Sequence, residues 1–193
     1  MLNISVQVCG LVILVVLLYF FQRSETTGLH SATMFRIALI DNLICVILDI
    51  ISVFAIVYDS LLPHIFTVVA CKLYLMSLVS VCLCSFSYAC VDIPKLYTDK
   101  RLSIFSGIVA AAAMMGIALL PIHWYHSGRI LYSYGASVNC AFTAAPLYII
   151  GTILVTVVFG QQINARKRGA IWAWMVVEII AVSLQFLNRE LLL

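Results

Sequence analysis

The chain has 193 residues, 64% of them hydrophobic and only 10% charged, with a formal net charge of +3. A soluble domain carries about 25% charged residues, so the composition excludes an ordinary soluble globular protein and points to a polytopic membrane protein. The net charge is too small to argue for a nucleic-acid partner, and the length suffices for six crossings with short loops and no separate soluble domain.

Taken in order, the apolar runs predict an all-α transmembrane bundle, a single domain over 1–193 with the lipid bilayer as its partner. Helix one is expected at 4–21. The start, MLNISVQVCG, has no basic region ahead of its apolar run. That run is longer than a signal-peptide core, so helix one reads as retained, not cleaved. Helix two is expected at 34–57, with Ser31 or Thr33 as its cap. The short turn 58–63 makes helix three, at 64–91, its antiparallel neighbour. A charged loop over 92–101 precedes helix four at 102–122, whose small-residue run 107–116 suits close helix approach. The longest polar segment, 123–139, precedes helix five at 140–160, and the basic loop 161–169 leads to helix six at 170–187. Leu191-Leu192-Leu193 reads as the opening of a seventh helix from about 189. The chain is therefore expected to be a piece of a longer protein, with an effector domain after 193.

Basic residues set the orientation. Arg23, then Lys95, Lys100 and Arg101, then Arg166, Lys167 and Arg168 fall in the first, third and fifth loops, whereas the other loops hold only Arg129 and Arg189. The positive-inside rule puts those three loops in the cytoplasm and the N-terminus outside. The seven cysteines show no CxxC pair and no metal-ligand spacing, and they read as small buried hydrophobes. A Cys71–Cys140 bridge is an unsupported alternative.

Helix two carries Asp41, Asn42 and Asp49 inside an apolar span. A carboxylate near the middle of a lone lipid-facing helix costs about 3 kcal/mol on insertion scales, so this face must turn to other helices, a water-filled cavity or a basic partner. Asp49 and Lys72 each lie about 12 Å below the outer surface, counted at about 1.5 Å per residue, which predicts an ion pair between them. Glu178 is expected near the depth of Asp41, and Gln185 near that of Asp49 and Lys72. Seven apart on a helix, Glu178 and Gln185 can look into one bundle. The set is either a proton- or ligand-responsive polar core or a group of bonds fixing helix register. Asp41 and Glu178 have no obvious basic partner, and burial and like charge both favour a protonated carboxyl.

In the outer segment, Ser127-Gly128 is a hairpin turn signal between His123-Trp124-Tyr125-His126 and residues 129–134, and a small β-hairpin is expected there. Its aromatics, Trp124, Tyr125, Tyr132 and Tyr134, form either the wall of a ligand cup for an unknown small molecule or an interfacial aromatic belt. His123 and His126 without a third ligand do not make a metal site. No metal or other cofactor is expected.

The order of features resembles the membrane-embedded N-terminal regions of bacterial, clostridial-type signalling proteins that end in a GGDEF (diguanylate cyclase) domain. The resemblance rests on the N-out start without a signal peptide, on Leu48-Asp49-Ile50-Ile51-Ser52, on Cys71-Lys72, on Tyr132-Ser133-Tyr134-Gly135 and on Asn188-Arg189-Glu190. It implies a seven-helix sensor region in the plasma membrane, governing an enzyme that makes cyclic-di-GMP. It also implies a homodimer, since two GGDEF domains must meet to join two nucleotides. If the family carries a pocket, Trp124, Tyr132 and Tyr134 match it. The chain itself has no GGDEF sequence, phosphate loop or carboxylate cluster and is expected not to be an enzyme. The alternative is a small proton-coupled transporter using Asp41, Asp49 and Glu178, although no inverted repeat or Gly/Pro-broken helix pair is present. A membrane enzyme is a third reading, without a nucleophile and base that can be placed on one face.

Overall fold

The computed structural model describes residues 5–23, 30–127 and 130–187. Its elements are α1 (Ser5–Arg23), α2 (His30–Val57), α3 (His64–Cys90), α4 (Pro94–Tyr97), α5 (Lys100–Leu119), β1 (His123–Ser127), β2 (Ile130–Tyr134), α6 (Ala136–Val158) and α7 (Ala165–Leu187). The six expected long helices are present, and the short α4 lies inside what reads from sequence as a charged loop. The expected helix from about 189 falls outside the described residues.

Among the described residues, four helices are long and apolar enough to cross a membrane: Ser31–Val57, His64–Cys90, Lys100–Leu119 and Ala136–Val158. The apolar part of α1 is shorter, Gln7–Tyr19. Large apolar side chains cover the outside of the bundle, among them Ile104, Phe105 and Ile108 on α5 and Leu154, Val157 and Val158 on α6, each more than half exposed. A soluble monomer rarely shows contiguous apolar surface on that scale, so these faces are built for hydrocarbon and the chain is a membrane protein.

Helix ends follow local chemistry. Pro63 precedes α3 and cannot continue α2, and the turn closes through Leu61 and Leu62 amides on the Tyr58 carbonyl, at 2.9 and 3.0 Å. Asp99 caps α5 by accepting the Arg101 amide at 2.9 Å, a favourable place for an anion. At the other end Leu120 turns extended, ψ 153°, because Pro121 crowds a helical conformation of the residue before it. The helix expected at 102–122 thus stops at Leu119. Conversely, α6 starts four residues ahead of the expected 140. Gly135 makes the turn at φ +120°, and Ser137 on the first turn of α6 donates to the Ile117 carbonyl at 2.6 Å, meeting one of the carbonyls left open at the end of α5.

At the centre, α3 packs against α2, α5 and α6. Leu75, Val79, Ile117, Ala141 and Ala145 are fully or almost fully buried there. The small residues Ala141, Ala144 and Ala145 let α6 lie close to α3, and Gly151 sits under the Phe86 ring, where a Cβ would come within 3.1 Å. Helix α1 packs on α2, and α7 packs on α6. The bundle has two distinguishable ends. One carries the β-hairpin, with β1 and β2 antiparallel and His123 opposite Tyr134; the other carries the basic loops and is called here the basic end.

Two glycines make a matched test. At Gly135 a Cβ would meet the Pro121 carbonyl oxygen at 3.0 Å on a backbone with positive φ, whereas nothing lies within 4 Å of Gly107 on α5. Gly135→Ala should lower stability by about 1–3 kcal/mol, and Gly107→Ala should leave it unchanged or raise it. Thermal unfolding of both variants in detergent checks this.

Candidate functional site

The apposed faces of α2 and α3 form a polar seam. The two helices run antiparallel, and the contacts step along both in register. The Phe35 and Tyr88 rings lie 5.5 Å apart. Further along, Asp41 is hydrogen-bonded with Cys84 and Cys45 with Ser77. At the hairpin end Thr67 donates its hydroxyl to the Ala55 carbonyl at 3.2 Å. Asp49 is met from the other side, by Gln7 on α1. One Asp41 oxygen, Oδ2, is buried with no hydrogen-bond partner among the described residues.

The expected Asp49–Lys72 ion pair does not form. Lys72 donates to the Ala118 carbonyl at 2.6 Å. The depths match, but the directions do not. At about 100° per residue, Lys72 points about 140° away from Thr67 and Ser77, which face α2. It therefore reaches α5, where it meets an open carbonyl of the last turn and places positive charge at the negative end of that helix. Glu178 and Gln185 belong to α7, but their side chains lie outside the described residues. The seven cysteines are all free, and Cys140 contacts the Ala113 carbonyl at 3.6 Å instead of bridging to Cys71.

The hairpin divides the four expected cup residues between its two faces. Tyr125 and Tyr132 are cross-strand partners with rings 5.5 Å apart, and Tyr134 follows on the same face, 6.0 Å from Tyr132. Trp124 lies on the opposite face, half-buried, with its ring 4.8 Å from His64 at the start of α3. The two-residue period of a strand forces this split between Trp124 and Tyr125. Trp124 therefore docks the hairpin on the bundle, while the three tyrosines make a ladder on the other side. His123 stacks on Tyr134 at 5.6 Å; the His126 side chain lies outside the described residues. Among the described residues no group of three or more His, Cys, Asp or Glu gathers as metal ligands do.

A second constellation lies at the basic end, from residues that the sequence marks only as loop charges. Lys167 in the first turn of α7, ahead of its apolar stretch, forms an ion pair with Asp92 after α3 at 2.9 Å. Its Nζ also lies 4.1 Å from the centroid of the Tyr88 ring, within range of a cation–π contact. Burial pushes the Lys167 ammonium below the ordinary lysine value, and the Asp92 carboxylate opposes that shift. Beside this pair, a cleft with almost wholly apolar walls opens between α2, α3, α6 and α7. Phe35, Ala38 and Tyr88 line one side, and Ala170, Trp174 and Met175 of α7 the other. The next turn is held by Arg168, which donates to the Gly160 carbonyl at 2.8 Å. The sequence signal for this cluster was available: α3 ends and α7 begins at the same end of the bundle, so their flanking acid and base can meet.

No protein-family model, curated protein or solved structure matches the chain.

Double-variant cycles separate the two ion-pair geometries. Asp49→Asn and Lys72→Met should be additive in unfolding free energy to within about 0.5 kcal/mol, whereas Asp92→Asn and Lys167→Met should couple by about 0.5–3 kcal/mol. Coupling between Asp49 and Lys72 as large as that between Asp92 and Lys167 would contradict the separate placement of the first two.

Proposed function

We propose that this chain is the transmembrane sensory or regulatory module of a bacterial signalling protein. On this reading it passes an extracytoplasmic or membrane signal to a cytoplasmic GGDEF-type effector. The basic loops face the cytoplasm, the hairpin and the N-terminus face outward, and α1 and α7 complete six crossings of the plasma membrane. The observation that carries the reading is the contrast in how α7 and the other helices are held. Helices α2, α3, α5 and α6 share a packed core, with polar bonds from helix to helix, whereas α7 joins that core among the described residues through the apolar side chains Ile171 and Met175. Helix α7 meets α2 and α3 across an apolar cleft and is tied at its base by the Lys167–Asp92 pair. An element held in this way can take two positions, and an effector joined behind it would follow. A stimulus acts on such a module only if it binds the two arrangements with different affinity.

One observation favours a second reading. The unpartnered Asp41 oxygen is the kind of group a proton-coupled transporter uses. Against it, the hydroxyls of Ser52, Thr67 and Ser77 along the seam already donate to backbone carbonyls, and the cleft has almost no polar wall to offer an ion.

Expression of the full reading frame in a bacterial host distinguishes the two. A sensor with a GGDEF effector should change cellular cyclic-di-GMP, and Lys167→Met should shift that level at least threefold at equal protein abundance. An unchanged nucleotide level, together with pH-gradient-driven uptake in proteoliposomes that Asp41→Asn abolishes, would replace the sensor with the transporter.

A further inference from the structure

The cleft beside α7 has a chemistry that selects its occupant. Its lining residues all fall within about ten residues of the basic ends of their helices, so it lies in the basic half of the bundle, within about 15 Å of that end. The three hydroxyls in its wall, on Ser85, Thr152 and Tyr88, are already used. Ser85 donates to the Val81 carbonyl at 2.9 Å and Thr152 to the Tyr148 carbonyl at 2.8 Å, each within its own helix. The Tyr88 hydroxyl is hydrogen-bonded with Ser31. A polar metabolite entering the cleft would lose its bonds to water and find none in return. A hydrocarbon chain would lose nothing.

Charge fixes the rest of the molecule. Among the described side chains, the end at which the cleft lies carries Arg36, Lys95, Lys100, Arg101, Lys167 and Arg168, against Asp92 and Asp99. Lys167 stands over the ring of Tyr88, which is itself part of the cleft wall. Apolar walls at membrane depth beneath a positive rim fit an amphiphile with an anionic head and a long apolar tail.

We infer that the cleft between α2, α3, α6 and α7 is an acyl-chain site for an anionic phospholipid of the surrounding membrane, with its phosphate among the basic residues at that end. The tail would lie along the groove lined by Trp174 and the Phe35 and Tyr88 rings, at the seam of α7 with the core. The site does not depend on the sensor reading, because lipid selection can be measured with no effector present.

The test uses the full chain in bilayers of phosphatidylcholine, into which a second lipid with brominated acyl chains is titrated. Bromine quenches tryptophan fluorescence on contact. The difference between the protein and its Trp174→Phe variant isolates the cleft. Brominated phosphatidylglycerol should quench the Trp174 component at no more than half the mole fraction required of brominated phosphatidylcholine. Ala170→Phe, which fills the cleft from an exposed position on α7, should remove that preference. Ala38→Leu should do the same from the facing wall, and thermal unfolding of each variant establishes that it is folded. Equal quenching by the two lipids, no quenching by either, or a preference that survives in a folded Ala170→Phe or Ala38→Leu variant would each overturn the site.

Discussion

Hydrocarbon offers no hydrogen bonds, so every polar group on a crossing helix must be met by another part of the protein. The pairing of α2 with α3 is the main answer to that constraint here. From Phe35 beside Tyr88 to the Thr67 bond on Ala55, the two helices hold one register over most of their length. The acidic side chains that make α2 costly in lipid are placed on this stripe or beside it, Asp41 against Cys84 and Asp49 against Gln7 of α1. Slipping one helix past the other by a turn would separate each of these partners at once. The polar residues thus fix register in a way that apolar packing between near-equivalent ridges would not.

The same constraint explains why Lys72 and Ser137 behave alike although one is charged and the other is not. Both bring a donor to the last turn of α5, Lys72 to Ala118 and Ser137 to Ile117. A helix that stops at Leu119 inside a bundle leaves carbonyls without amide partners, and such groups are costly when buried. The end of α5 is set by Pro121, and two neighbouring helices supply the missing donors. The hairpin grows from this junction, and Gly135 is the residue whose backbone freedom lets the chain turn from β2 into α6.

What was legible in the sequence divides along one line. Axial position could be counted, and direction around each helix could not. Apolar runs located the six long helices, and Ser127-Gly128 located the hairpin strands. Counting from helix ends put Asp49 and Lys72 at one depth. It did not reveal that Lys72 points away from α2, because the face that α3 turns to α2 is set by Thr67, Ser77 and Cys84, in a helix apolar almost all round. The division of the four aromatics was hidden for a related reason. Four aromatics in a short hairpin look like one patch until the strand period sends Trp124 to one face and Tyr125 to the other. The Lys167–Asp92 pair joins residues 75 apart in the chain, and a loop charge by itself does not show which other loop it meets.

These differences in attachment bear on which part of the bundle can move. Sliding α2 against α3 breaks several hydrogen bonds, each worth about 0.5–1.5 kcal/mol net in water and replaced by nothing in lipid. Inverting a two-state equilibrium from 1:99 to 99:1 requires about 5.5 kcal/mol of differential binding. A stimulus would have to supply that on top of the lost bonds if the signal ran through the seam. At α7 the polar ties to α3 among the described residues are one ion pair and one cation–π contact, and Ile171 and Met175 hold the helix to the core by apolar contact, which is not directional. The intramembrane carboxylates are the residues that draw the eye in the sequence, yet Asp41 ties α2 to α3 and Asp49 ties it to α1. On the proposed reading they serve as the fixed frame, and the residues at the base of α7 set how readily the last helix departs from it.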